Sequence, residues 1–218
     1  MKTRIFASLL GLVFVFAMPS PTSFAQDPGH PFHLSSSTFD NNTFLPISAI
    51  FNLIPPNSTT NGCSIDGSPG GNQSPALSWT RPRGNTRSFV VILYDETAAF
   101  THWGMYNISP SRTGLPQNAG VAGSKYGQQV YNDFVFSGLG GAQYDGPCPP
   151  PDFAPDVHRY VFTVYALDTL LNLPSTENFP AKAATLYQAL VQAGEDGDIL
   201  ESASITGLYS TVPSSAGR

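Results

Sequence analysis

The chain has 218 residues, a formal net charge of −5, and only 11% charged side chains. A mildly acidic chain without a basic tract cannot neutralise a run of phosphates, which excludes nucleic acid as its partner. Twenty glycines, twenty prolines and 12% aromatics, set against few helix-favouring charged residues, exclude an all-helical protein and point to a loop-rich β domain.

Residues 1–25 read as a removable secretory signal. Lys2 and Arg4 open it, the stretch from Ile5 to Met18 carries no charge, and Ser23-Phe24-Ala25 offers small residues where a signal peptidase reads, placing cleavage before Gln26. A membrane span needs about 20 apolar residues. This run is shorter and broken by Pro19 and Pro21, and no later segment is a transmembrane candidate. The expected location is the periplasm or the exterior, with residues 26–218 forming one domain. Cys63 and Cys148 allow a single intramolecular pairing, and in an oxidising compartment an even count favours a disulfide over two buried thiols.

After a leader to residue 31, residues 32–35 are predicted as a short strand and 46–51 as a second edge segment. Residues 55–75 are turn-rich, with Asn61-Gly62, Asp66-Gly67 and Gly70-Gly71-Asn72. Apolar alternation resumes at Leu77-Ser78-Trp79. Residues 88–94 form a run continuous enough to be buried on both faces, and 102–108 alternate aromatic and small side chains. A Gly-rich stretch from 120 to 146 is expected to be irregular around one short strand. Residues 160–167 carry the strongest strand pattern. Ala181, Ala184, Leu186, Leu190 and Val191 then fall about one helical turn apart, with Gly194 as a stop. Residues 198–209 read as a short helix to Ala203 followed by a final strand. The predicted fold is all-β: a sandwich with one or two short C-terminal helices.

Four polar residues sit where predicted strands meet turns. Asp95 ends one strand, His102 opens the next, and His158 and Tyr160 open a third, two apart and so on one face. The rigid turn Gly146-Pro147-Cys148-Pro149-Pro150 comes shortly before His158. Two imidazoles, a phenol and a carboxylate that fixes a histidine tautomer suit a small anionic head group. Each also has a structural role open to it: a hydrogen-bonded histidine, a turn-capping aspartate, a core tyrosine. No spacing of His and Cys defines a metal site, no Gly-x-Ser-x-Gly elbow occurs, and no cofactor is implied.

In order, these segments resemble the phosphatidylethanolamine-binding protein family in its bacterial Raf-kinase-inhibitor-like branch. The resemblance is carried by Phe32-His33-Leu34-Ser35, by Gly71-Asn72-Gln73-Ser74-Pro75-Ala76-Leu77-Ser78-Trp79, and by Thr86-Arg87-Ser88-Phe89 leading to Asp95. It continues through His102-Trp103 with Asn107, Asn132-Asp133-Phe134, residues 146–150, His158-Arg159-Tyr160 and Ser204-Ile205-Thr206-Gly207-Leu208-Tyr209. It implies a Greek-key sandwich of two antiparallel sheets with an anion-binding cavity at one end. Asp95, His102, Gly146, Pro149, Pro150, His158 and Tyr160 would line that cavity, and a Cys63–Cys148 bridge would clamp its wall. The implied function is an exported, non-catalytic binding protein for phosphate or a phospholipid head group. A protease inhibitor or protein-partner modulator working through loops 151–157 or 120–143 is the alternative, followed by an enzyme using Asp95 and His158 as acid and base. The sequence departs from the family pattern at Asp95-Glu96-Thr97-Ala98-Ala99, which lacks two prolines and a second aspartate. The 151–157 segment is longer than in relatives, and Asp198 replaces a histidine.

Overall fold

The computed structural model describes residues 31–151, 155–175 and 180–212. The segments expected to be a signal and most of a leader, and part of the 151–157 loop, lie outside the described residues. Nine strands and one helix follow in chain order within them: β1 (Leu34–Ser35), β2 (Thr43–Phe44), β3 (Leu77–Trp79), β4 (Ser88–Asp95), β5 (Phe100–Ile108), β6 (Gly114–Leu115), β7 (Gln128–Gln129), β8 (His158–Leu167), α1 (Ala183–Glu195) and β9 (Ile199–Tyr209). They build a sandwich in which a three-stranded sheet, β1-β3-β6, faces a six-stranded sheet, β2-β9-β8-β4-β5-β7.

The larger sheet is mixed, which corrects the expectation of two purely antiparallel sheets. β2 pairs with β9 in parallel, Thr43 opposite Gly207 and Phe44 opposite Leu208, whereas its other pairings are antiparallel. The two partners come from opposite ends of the chain, so no hairpin imposes a direction on them.

β4 is buried along nearly its whole length because both of its faces are covered. Phe89, Val91 and Leu93 point between the sheets, where they meet Trp103 and Met105 of β5 and Phe162 and Val164 of β8. Val90 and Ile92 point outward and lie under Leu186 and Leu190 of α1. Each large side chain fully buried in this way contributes about 1.5–3 kcal/mol.

Three further expectations are corrected. Residues 46–51 hold a 3-10 turn at Ile47–Ala49 rather than an edge strand. Its carbonyls are taken by the following loop, with the N–H groups of Gly71 and Gln73 donating to Ile47 and Ser48. The buried side of α1 is Ala183, Leu186, Leu190 and Ala193, while Ala184 and Val191 face solvent. The helix runs past Gly194 to Glu195, and the chain reverses at Gly197, whose φ of 79° lies in the left-handed region that favours glycine. Residues 198–203 are not helical. Ile199–Tyr209 pairs with β8 from end to end, and that ladder outweighs the local helical pattern.

Cys63 and Cys148 are joined by a disulfide across 85 positions. In the chain-entropy model a closure of this length stabilises the fold by about 4–5 kcal/mol. It ties the 146–150 segment to the turn-rich loop before β3.

Candidate ligand-binding site

A cavity of about 600 Å³ opens at one end of the sandwich, where β4 ends and β5 and β8 begin. Strand register assembles its floor. In the β4–β8 ladder Asp95 lies opposite Tyr160, and His158 follows two residues away on the same face. His102 arrives by a different device. Leu93 pairs with Trp103 and Tyr94 with Thr101, so β5 holds one extra residue at this step, and that residue is His102. Such a bulge re-aims a side chain. Here it lets His102 and its neighbour Trp103 both point into the interior, where each is at least 97% buried.

His158 Nδ1 donates to Asp95 Oδ2 at 2.7 Å. The other carboxylate oxygen accepts from the backbone N–H groups of Thr97 at 2.8 Å and Ala98 at 3.1 Å. Asp95 therefore fixes the tautomer of His158 and leaves Nε2 as the ring's remaining polar atom. Among the described residues that Nε2 is buried without a hydrogen-bond partner, and so is the hydroxyl of Tyr160. The phenol stands close enough to the Asp95 carboxylate to interact with it, but without a well-formed hydrogen bond. Burial raises its pKa far above that of an exposed tyrosine, with the Asp95 charge adding to the effect, so the hydroxyl keeps its hydrogen. The rings of His158 and Tyr160 stack at 6.3 Å, and His102 meets Tyr160 edge-on at 5.3 Å.

His102 Nδ1 donates to the carbonyl oxygens of Asp145 at 2.8 Å and Gly146 at 3.1 Å. Burial lowers the ring's pKa, against the opposing pull of those carbonyls and the Asp95 and Asp145 charges, which favours the neutral form. Gly146 thus stands behind the His102 ring rather than at the cavity surface. A β-carbon at this position would overlap the Ala49 carbonyl oxygen, so only glycine allows the approach. Pro149 and Pro150 form one wall next to Cys148.

The Asp145 carboxylate is a part of the site's support that the sequence did not reveal. It is wholly buried. It accepts from Asn72 at 3.0 Å, Gln143 at 2.9 Å and Asn132 at 2.7 Å, three side-chain amides and no cation. The oxygen of the Asn72 amide accepts from Gly146 N–H at 2.8 Å, and Asn132 caps the 3-10 turn Asp133–Ser137 by accepting from Phe134 N–H. Asn72 and Asn132 stand in blocks that carry the family resemblance, but nothing in their spacing shows that they converge on one carboxylate.

The aromatic lining of the mouth is a second feature that the sequence did not reveal. Phe100, Phe134 and Phe136 line it together with Ala98 and Ala99. Phe134 packs edge-on against His102 at 5.3 Å and against Phe100 at 4.8 Å, whereas Phe136 is 77% exposed. The only hint was a pair of phenylalanines two apart inside a Gly-rich stretch. Among the described residues no group of three His, Cys, Asp or Glu side chains is placed to hold a metal ion, and no helix is long and apolar enough to cross a membrane.

The fold and site define a β-sandwich with an aromatic-rimmed cavity at the ends of β4, β5 and β8. The chain belongs to the phosphatidylethanolamine-binding protein family, whose model matches residues 35–210. It is similar to a UPF0098 protein of Methanothermobacter thermautotrophicus, 39% identical over 145 residues, or 64% of this chain and 84% of that one. It also resembles the UPF0098 protein YbcL of Escherichia coli, 40% identical over 111 residues, or 47% of this chain and 57% of that one. The crystal structure of YbcL superposes with a TM-score of 0.61 at 28% identity, covering 82% of this chain and 98% of that one. The Chlamydia trachomatis homologue CT736 gives a TM-score of 0.57 at 26% identity, covering 82% and 97%.

Proposed function

We propose that this is an exported, non-catalytic binding protein of the bacterial Raf-kinase-inhibitor-like branch, and that its end cavity takes a phosphate-bearing small molecule or phospholipid head group. One observation carries the reading. Two buried polar atoms, His158 Nε2 and the Tyr160 hydroxyl, have no hydrogen-bond partner among the described residues and belong to side chains that line the cavity. Buried polar groups left unpaired are costly, and a ligand that pairs them recovers that cost. The aromatic rim above them suits the apolar part of such a molecule. Export is supported by the N-terminal signal pattern and by the disulfide, which suits an oxidising compartment.

Binding is favoured over catalysis because the nucleophilic atoms at the wall are committed. Cys148 is in the disulfide, and the Ser137 hydroxyl donates to the Phe134 carbonyl. A protein-partner role has the exposed Phe136 in its favour.

Tyr160→Phe tests the reading. It removes only a hydroxyl that bonds nothing in the fold, so stability should hold or rise. Affinity for O-phosphoethanolamine, measured by titration calorimetry, should fall by about tenfold, the value of one hydrogen bond to a charged group. Unchanged affinity in a folded variant rejects the assignment.

A further inference from the structure

We propose that the protein carries a second ligand site, at the opposite end of the sandwich from the cavity, where Arg81, Arg112 and Thr86 bind a doubly charged tetrahedral oxyanion. The inference is independent of what occupies the end cavity.

The end cavity lies where β4 finishes at Asp95 and β5 begins. At the other end of these two strands a hollow of about 280 Å³ lies between the loop that leads into β4 and the turn that leaves β5. The loop supplies Arg81, Asn85 and Thr86, and the turn supplies Arg112. Backbone contacts hold the loop at three points. Thr80 N–H donates to the His33 carbonyl at 3.0 Å and Arg87 N–H to the Leu167 carbonyl at 2.7 Å. Between them Arg83 N–H donates to Glu201 Oε2 at 2.7 Å. The Glu201 carboxylate thus ties the loop down and is not part of the hollow's lining.

The lining selects an anion. No Asp or Glu lines the hollow, and among the described residues neither Arg81 nor Arg112 has an ion pair or a side-chain hydrogen bond. The Arg112 guanidinium carbon lies 4.5 Å from the centre of the Tyr126 ring, a cation–π contact that consumes none of its N–H donors. Lys125 Nζ shares that ring at 5.5 Å. Only ten lysines and arginines serve this acidic chain, so three of them gathered at one end make a local positive field against the overall charge. A second observation is independent of charge. The Thr86 hydroxyl oxygen is buried and has no hydrogen-bond partner among the described residues, a cost that a ligand acceptor removes. Two permanent cations and a neutral donor match a group with two negative charges and several acceptor oxygens, as in sulfate or a phosphate. A cationic or apolar occupant would leave both guanidiniums uncompensated.

The test is a titration of the isotope-labelled full-length protein with sodium sulfate at pH 7, with sodium chloride holding the ionic strength constant and the backbone amide shifts as readout. The amides of residues 83–87 and 111–113 should shift together and saturate. Arg81→Gln and Arg112→Gln should each weaken sulfate binding by at least about tenfold, the value of one hydrogen bond to a charged group. Thr86→Val should weaken it by about tenfold while the urea midpoint holds or rises, because the lost hydroxyl bonds nothing in the fold. Acetate, with one charge, should bind at least about tenfold more weakly than sulfate. Tyr160→Phe should leave these shifts unchanged, which separates this site from the end cavity. Shifts that grow linearly without saturating, equal affinity in the folded arginine variants, or acetate that binds as tightly as sulfate would overturn the proposal. Saturation confined to residues 97–99 would also overturn it, and would leave the phosphate reading of the end cavity standing.

Discussion

Two buried carboxylates stand near the His102 ring, Asp95 and Asp145, and the fold surrounds them in opposite ways. Asp145 ends its hydrogen bonds inside the protein. Three side-chain amides close around it, and its own backbone carbonyl holds His102 in place. Asp95 also accepts three hydrogen bonds, but one comes from His158, which passes the chain on to an Nε2 with no partner at the cavity. Burial does not separate the two, since neither is more than 2% exposed. What separates them is where the chain of donors and acceptors stops. A closed cluster supports the fold, and an open one is available to a ligand.

Removing each carboxylate should break them apart in measurable ways. Asp145→Ala leaves three buried amides without their acceptor and should lower the free energy of unfolding by about 4 kcal/mol. Asp95→Ala leaves two backbone N–H groups and one imidazole unpaired next to a cavity that water can enter, and should cost about 2 kcal/mol. Urea unfolding at pH 7 gives both values. The opposite order would mean that Asp95 is the structural carboxylate and that the contrast is drawn the wrong way round.

Sequence reading found Asp95 and His158 because strand patterns are local. The run ending at Asp95 and the run beginning at His158 are both strongly apolar, and residues two apart on a strand must share a face. It could not find the Asp145 cage. Asn72 comes from the loop before β3, Asn132 and Gln143 from the long connection between β7 and β8, and a polar residue in a loop looks the same whether it faces water or closes on a carboxylate. His102 was legible as a candidate but not in its mechanism, because the bulge that turns it inward depends on its pairing with β4 rather than on its own neighbours. Residues 198–203 were misread for a related reason: their local pattern is weak, and the ladder to β8 decides it.

The histidine held by the closed cluster makes a pH prediction. Burial puts the folded-state pKa of His102 below its unfolded value near 6.5, so the folded protein binds this proton more weakly than the unfolded chain does. The stability that comes from keeping the ring neutral is fully present above pH 6.5 and is lost as the pH falls towards the folded pKa. One proton limits the slope to about 1.4 kcal/mol per pH unit. His102→Asn, which keeps a short donor but cannot titrate, should show a shallower loss of stability between pH 6.5 and 5 than wild type. Equal slopes would place the acid sensitivity on the carboxylates instead.

The smallest effect concerns the mouth, where the open cluster meets solvent. Ala99 has a φ of 53°, in the left-handed region that costs an L-residue about 1–2 kcal/mol. It lines the cavity within the loop that follows β4, and Asp95 draws that loop tight by accepting from Thr97 and Ala98. Ala99→Gly removes the strain but adds freedom to the unfolded chain, so the net gain in stability should be about 0.5–1 kcal/mol, read as a shift in the urea midpoint. Affinity for O-phosphoethanolamine, measured on the same samples, shows what the strain does. A gain in stability with weaker binding means that the strained alanine holds the mouth in its binding shape. A gain with unchanged binding confines the ligand's demands to the rings and carboxylate below.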